Sequence, residues 1–270
     1  MRWLLGVMLV FGLGGVAHAE NLRLDGDFLP GGVVRGQTAP GSTVTFAGRP
    51  LRVALDGRFL LGFGRDAAGA QDLVVRHPDG REERRALEVA ARGYDIQRID
   101  GLPAKQVAPS AADLVRIEAE AGRLGAAKAR DSAVLGFAGE MVWPVRGRIS
   151  GVYGSQRILN GAPRSPHRGM DVAAPAGTSV GAMARGVVSL AETGLYFTGG
   201  TVMVDHGHGL HSIYSHLSAL RVVVGQELAP GEVLGSVGAT GRATGPHLHW
   251  GVYWFDQAVD PALLVGPMPR

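Results

Sequence analysis

Seven of the nine histidines in this 270-residue chain lie between positions 167 and 249. A packed β domain has no structural need for imidazole at that density, so some of these rings point to proton transfer or metal ligation. The sharpest feature is His247-Leu-His249. On a strand the side chains alternate, so His247, His249, Gly251 and Tyr253 share one face, while Leu248, Trp250, Val252 and Trp254 form the packing face. Two imidazoles are thereby offered together away from the core; the alternative is a pair of exposed strand histidines. His167-Arg-Gly-Met-Asp171 adds an imidazole and a carboxylate in a Gly- and Pro-rich neighbourhood. Taken alone, that spacing is common in loops. Taken with one histidine of the 247/249 pair, it supplies three nitrogen and oxygen ligands and leaves a fourth position for water, as in a catalytic zinc site.

The remaining histidines divide by position. Thr201–Asp205 and Leu210–His216 read as two strands around a tight stretch, His206-Gly-His-Gly209. Leu210, Ser212, Tyr214 and His216 then share a face and His211 faces oppositely, so His211 and His216 line one cleft only if a bulge intervenes. His206 and His208 are expected to be solvated turn residues, and the whole 206–216 cluster has a second reading as a metal-sequestering surface. His77 sits beside the Pro78-Asp79-Gly80 turn and is expected to be exposed. The Gly-rich run 235–245 lacks a following Lys-Ser/Thr and helix, so it reads as tight turns rather than a phosphate loop.

The elements that must position these groups are mostly strands. Forty-two glycines and fifteen prolines exclude a helix-dominated chain, and 46% apolar content excludes general disorder. Residues 20–98 carry short strand-like runs at 31–36, 42–46, 52–55, 58–61 and 72–76, separated by Pro-Gly and Asp-Gly turns. This is the spacing of a small immunoglobulin-like β-sandwich. Residues 99–133 form a linker holding a connecting helix from Ser110 to Arg130, N-capped by Ser110 and Asp113, with Leu114, Ile117, Ala121 and Leu124 at helical spacing. Residues 134–270 are predominantly antiparallel β.

Arg2, the apolar run Trp3–Val16 and Ala17-His18-Ala19 read as a cleaved signal peptide over residues 1–19, placing the mature protein outside the cytoplasm without stable membrane insertion. The chain has no cysteine, so any metal is held by nitrogen and oxygen. A formal charge of +3, or +2 without Arg2, is too small and dispersed for a nucleic-acid footprint.

Three blocks together resemble the lysostaphin-like zinc metallopeptidases of peptidoglycan, over roughly residues 140–262. They are His167-Arg-Gly-Met-Asp171, Asp205-His-Gly with Ile213-Tyr-Ser-His-Leu217, and Gly241-Arg-Ala-Thr-Gly-Pro-His-Leu-His-Trp-Gly251. The resemblance implies one zinc per chain on His167, Asp171 and His249, with His216 and His247 as the unligated catalytic pair. It also implies a peptidoglycan substrate, an exported, periplasmic Gram-negative-type enzyme, and cleavage of D,D cross-links. There is no HExxH glutamate, so the base is a histidine or the metal-activated water itself. His208 stands where the family frequently has Asn, in a turn. The segment Arg157–Pro166, with Asn160, resembles the stretch before the first ligand in exported members. The rival expectation is a non-catalytic periplasmic scaffold or activator of a cell-wall amidase, although no ligand of the set is missing.

Overall fold

The computed structural model describes residues 22–99, 110–159 and 161–269. The expected signal peptide, most of the stretch between the N-terminal unit and the helix, and Asn160 lie outside the described residues.

Seven strands form the N-terminal unit: β1 (Arg23–Gly26), β2 (Val33–Gln37), β3 (Thr43–Phe46), β4 (Arg49–Leu51), β5 (Arg58–Gly62), β6 (Gly69–Arg76) and β7 (Glu82–Val89). They pair as β1-β2-β5 and β4-β3-β6-β7. Relative to the constant-type immunoglobulin arrangement, the fourth strand has joined the opposite sheet. Val34, Phe59, Leu61, Val44, Leu73 and Val75, drawn from both sheets, share one buried cluster. Four strand assignments differ from expectation, because β1, β4 and β7 fall outside the expected runs and one expected run is not a strand. The run 52–55 is not a strand; it enters the Ala54–Gly57 turn, closed by Gly57 N–H to Ala54 O at 2.9 Å, and Leu55 is left 99% exposed. β7 opens on four charged residues, which hide its strand character in the sequence. His77 is buried, with Nδ1 3.4 Å from Ser42 Oγ and Nε2 3.4 Å from Glu83, not exposed as expected.

The chain continues through β8 (Ile96–Ile99) to helix α1 (Ala111–Lys128). Ser110 caps α1 in a complete capping box: its Oγ accepts the Asp113 N–H at 3.1 Å, and the Asp113 carboxylate accepts the Ser110 N–H at 3.2 Å. The inward face is rotated from the expected one. Ile117, Glu120, Leu124 and Ala127 are at least half-buried, whereas Leu114 and Ala121 are exposed. Glu120 explains the rotation, because its carboxylate is tied to Arg116 at 2.8 Å and accepts the Tyr196 N–H at 2.8 Å, so a charged residue occupies the inner stripe.

The C-terminal unit comprises β9 (Arg148–Gly151), β10 (Gln156–Leu159), β11 (Ala162–Pro163), β12 (Met170–Ala173), β13 (Ser179–Gly181), β14 (Gly186–Leu195), β15 (Gly199–Gly207), β16 (Leu210–Leu217), β17 (Ala219–Leu220), β18 (Glu227–Leu228), β19 (Val233–Ser236), β20 (His247–Trp254) and β21 (Gln257–Val259). Its main sheet runs β18-β14-β15-β16-β20-β12-β9, with β21 beside β20; smaller sheets are β13-β19-β17 and β11-β10-β8. One face of the main sheet buries Val204, Tyr214, Val252 and Trp250. Each large side chain fully buried there contributes roughly 1.5–3 kcal/mol. On the other face Leu190, Met203, Ile213 and Tyr253 pack under Leu124 and Ala127 of α1. The two units share a continuous core: Trp254 meets Phe46 at a ring separation of 6.0 Å, and Gly62 leaves the space that a Cβ would take from Trp254. Arg92 pairs with Asp260 across the same boundary. No helix among the described residues is long and apolar enough to cross a membrane.

Candidate metal centre

β20 presents His247 and His249 on one face, as alternation requires, and its register sets Asp171 of β12 directly opposite His249. His167 comes from the loop just before β12. The three groups converge. His249 Nδ1 lies 2.9 Å from Asp171 Oδ1 and 3.1 Å from His167 Nε2, and His167 Nε2 lies 3.2 Å from Asp171 Oδ1. Tetrahedral ligands at about 2.0–2.1 Å from zinc stand about 3.3 Å apart, so the spacing fits such an ion.

The donor chemistry fits as well. His167 Nδ1–H donates to Val152 O at 3.0 Å, which leaves the Nε2 lone pair of the neutral ring facing His249 Nδ1 and a carboxylate. Converging lone pairs repel unless a cation or a shared proton lies among them. Two imidazoles and one carboxylate suit zinc, and anchoring one ring nitrogen to a carbonyl is the usual way to aim the other at a metal. Burial pushes the Asp171 carboxyl up, but hydrogen bonds and charge from His167 and His249 outweigh it and hold it well below the ordinary carboxylate range. It stays anionic.

His216 and His247 stand beside this group, with ring centroids 4.7 Å apart and the His216 ring 6.2 Å from that of His249. His247 Nδ1–H donates to Gly245 O at 2.9 Å and His216 Nδ1–H to Thr240 O at 2.8 Å. Each ring therefore keeps Nε2 free, and that of His247 is 3.9 Å from Asp171 Oδ1. Burial lowers the basicity of His216, so the ring is neutral at neutral pH.

Simple alternation would not have brought His216 here. Tyr214 pairs with Trp250 and Ser215 with His249, so a regular strand turns His216 to the packing face. Between β15 and β16, however, Val202 pairs with Tyr214 and Gly200 with Leu217, which leaves Ser215 and His216 opposite the single residue Thr201. This is a β-bulge, and His216 has a φ of 64°, left-handed for a non-glycine residue, at a cost of order 1 kcal/mol. The conformation is held by His216 N–H to Thr198 O at 2.7 Å and by the Thr240 carbonyl. Thr240 is fixed in turn: its Oγ1 donates to Leu217 O at 2.9 Å and accepts the Gly200 N–H at 2.9 Å. The approach is so close that a Cβ on Gly241 would stand 2.4 Å from Gly199 N. Thr240 and the anchoring carbonyls carry no signature in the sequence, because main-chain acceptors are common to every residue type.

The other histidines lie outside this site. His206 and His208 are buried, against expectation, because only His208 and Gly209 form the hairpin turn, with φ of 53° and 78°, while His206 remains within β15. His211 belongs by register to the same sheet face as His249, but its Nε2–H is closed off by Arg130 O at 2.9 Å. With these rings covered, the metal-sequestering surface is overturned.

An antiparallel sheet bearing a His, Asp and His cluster flanked by two further histidines defines a zinc-metallopeptidase type of centre. The chain belongs to peptidase family M23, whose profile matches residues 165–261. It is 44% identical over 105 residues to the DD-carboxypeptidase/endopeptidase Mpg of Neisseria meningitidis serogroup B, covering 38% of this chain and 24% of that protein. It is 37% identical over 128 residues to the murein hydrolase activator EnvC of Escherichia coli, covering 47% of this chain and 29% of that protein. The chain thus spans about a quarter of the length of the curated relatives it matches. A Pseudomonas aeruginosa crystal structure, provisionally described as a peptidase M23, is 36% identical and superposes with a TM-score of 0.67, covering 89% of this chain and 96% of that one.

Proposed function

We propose that this protein is an exported, periplasmic zinc endopeptidase that hydrolyses peptide cross-links of peptidoglycan at the D-alanyl bond to diaminopimelate. The signal-like N-terminus supports the compartment, and the similarity to Mpg supports the substrate. The observation that carries the reading is the convergence of His167, Asp171 and His249, whose ligand atoms lie within 4.8 Å of one another. In this reading these three hold one zinc ion. The ion supplies Lewis-acid polarisation of the scissile carbonyl and a water acidified to a pKa of about 7.

The chain's own residues do the rest. Asp171, kept anionic, balances charge in the ligand set. His216 and His247 aim Nε2 at the reacting centre and exchange protons with the attacking water and the leaving amine. Either ring, once protonated, also stabilises negative charge developing on the carbonyl oxygen. Their Nδ1–H bonds to Thr240 O and Gly245 O fix the tautomer that leaves Nε2 able to accept. The domains follow the same reading: residues 20–98 as a sandwich, 99–133 as a linker with a helix, and 134–270 as the peptidase domain.

Purified sacculi incubated with the zinc-loaded protein should release uncross-linked muropeptides. Release should stop with chelator and return with zinc. The similarity to EnvC and the presence of an N-terminal unit beside the metal-bearing one favour one alternative, an amidase activator. That role predicts no release without added amidase, and with it the appearance of free stem peptides.

A further inference from the structure

Resting on the peptidase reading, we propose that the cleft between the N-terminal unit and the metal-bearing domain is a substrate subsite, in which Arg168 receives a free carboxylate of the peptide being cut. The cleft holds about 600 Å³, within the range of ligand pockets. One wall is the Gly64–Ala67 loop with Gln71 of the N-terminal unit; the other is Pro166–Arg168 and β21. His167 both lines the cleft and belongs to the metal cluster, so the cleft adjoins the centre through that side chain.

Charge selects the ligand class. Two carboxylates line the cleft, and each already has a cation: Arg65 is 2.7 Å from Asp66, and Arg49 is 3.5 Å from Asp256. Arg65 is further committed to Gly154 O at 3.0 Å and to the face of Tyr94 at 4.4 Å. Arg168 is exposed and makes no hydrogen bond or ion pair among the described residues. Lys128 Nζ, 4.6 Å from the centre of the Tyr253 ring, is a second cationic group near Arg168, and burial first and then Arg168 lower its basicity. An uncompensated guanidinium at the edge of a peptidase centre suits an anionic peptide, and a planar carboxylate matches its fork of donors.

The test uses two synthetic cross-linked stem peptides, identical except that one carries free carboxylates and the other carboxamides. Binding is measured by calorimetry to the zinc-loaded full chain carrying His216→Ala, with or without Arg168→Gln, and hydrolysis is followed separately with His216 intact. The carboxylate form should bind about tenfold or more tightly than the amide, as for a charge-assisted hydrogen bond. Arg168→Gln should bring the two forms to within about twofold and leave zinc content and amide-form binding unchanged, and Arg168→Lys should restore part of the preference. Ala67→Phe, which narrows the opposite wall, should weaken both forms. A preference that survives Arg168→Gln, or the lack of any preference in the parent, overturns the subsite. An Arg168-dependent preference in binding without hydrolysis of either peptide would keep the subsite and sink the peptidase reading instead.

Discussion

The histidines of the main sheet fall into two regions with one design and opposite outcomes. At the closed end of the β15–β16 hairpin, His206 Nδ1–H donates to Arg185 O at 2.8 Å, His208 Nδ1–H to Arg52 O at 3.0 Å, and His211 Nε2–H to Arg130 O at 2.9 Å. At the open end, His167, His216 and His247 are anchored to carbonyls in the same manner. What differs is the second nitrogen. In the hairpin it is covered: His206 Nε2 meets Ser212 Oγ at 2.8 Å, and His208 Nε2 has no hydrogen-bond partner among the described residues. In the site the second nitrogens of His167 and His247 lie 3.2 and 3.9 Å from Asp171 Oδ1, with side chains 22% and 17% exposed, while His216 is itself buried beside them. Anchoring to a carbonyl therefore does not separate the two regions; what the second nitrogen meets does.

The largest way to test this contrast is His249→Ala. It removes one of the three proposed ligands, so zinc content should fall from one per chain towards zero and sacculus hydrolysis should vanish with it. Metal analysis showing equal zinc in variant and parent would sink the assignment. His216→Ala should separate binding from turnover. Zinc should remain at one per chain, while the rate falls by about 10²–10⁴-fold, the range typical of a lost proton-transfer group.

The hairpin should respond in stability instead. His206 ends a relay of hydrogen bonds through Ser212 and Tyr214 to Met183 N, with links of 2.8, 2.9 and 2.8 Å. His206→Ala should cost about 2–4 kcal/mol in denaturant unfolding, from the cavity and the broken relay, without lowering zinc stoichiometry. The same ring predicts a pH dependence. Burial lowers its pKa from 6.5 to about 4, so the folded state binds the proton less well than the unfolded chain does. Its contribution is complete above about pH 6.5 and is lost as pH falls towards 4, amounting to roughly 3 kcal/mol. His208 and His211 are shifted in the same direction, also chiefly by burial. A stability curve flat between pH 7 and 4 would contradict this, and His206→Gln should shallow the slope.

The sequence made the open end more legible than the closed one. Strand alternation alone places His247 and His249 on one face, and the resemblance supplies His167, Asp171 and His216. The bulge that delivers His216 leaves no mark, since Ser215 and His216 continue a regular-looking strand and only the pairing with β15 reveals two residues opposite one. The burial of His206 and His208 is not legible in the sequence, because a histidine near a turn reads as a solvated one. The carbonyls that hold them come from far away in the chain, Arg185 O for His206 and Arg52 O and Ser132 O for His208. The helix was visible through its capping box, but its inward face was not, because Glu120 faces inward by virtue of the partners Arg116 and Tyr196, which no periodicity anticipates.

The smallest expected effect lies at the turn itself. His208 and Gly209 both have positive φ, the geometry of a type I′ hairpin, for which Asn-Gly is the favoured pair. His208→Asn should therefore gain a few tenths of a kcal/mol from backbone preference. It should also lose the bond to Arg52 O and the stacking of the ring on Phe137 at 4.5 Å, together worth about 1 kcal/mol. The opposing contributions leave a net loss below about 1 kcal/mol, read as a small decrease in denaturation midpoint, with zinc content and hydrolysis unchanged. A large loss of activity on this substitution would mean that the closed end of the hairpin is coupled to the centre, and the separation of the two histidine regions would fail.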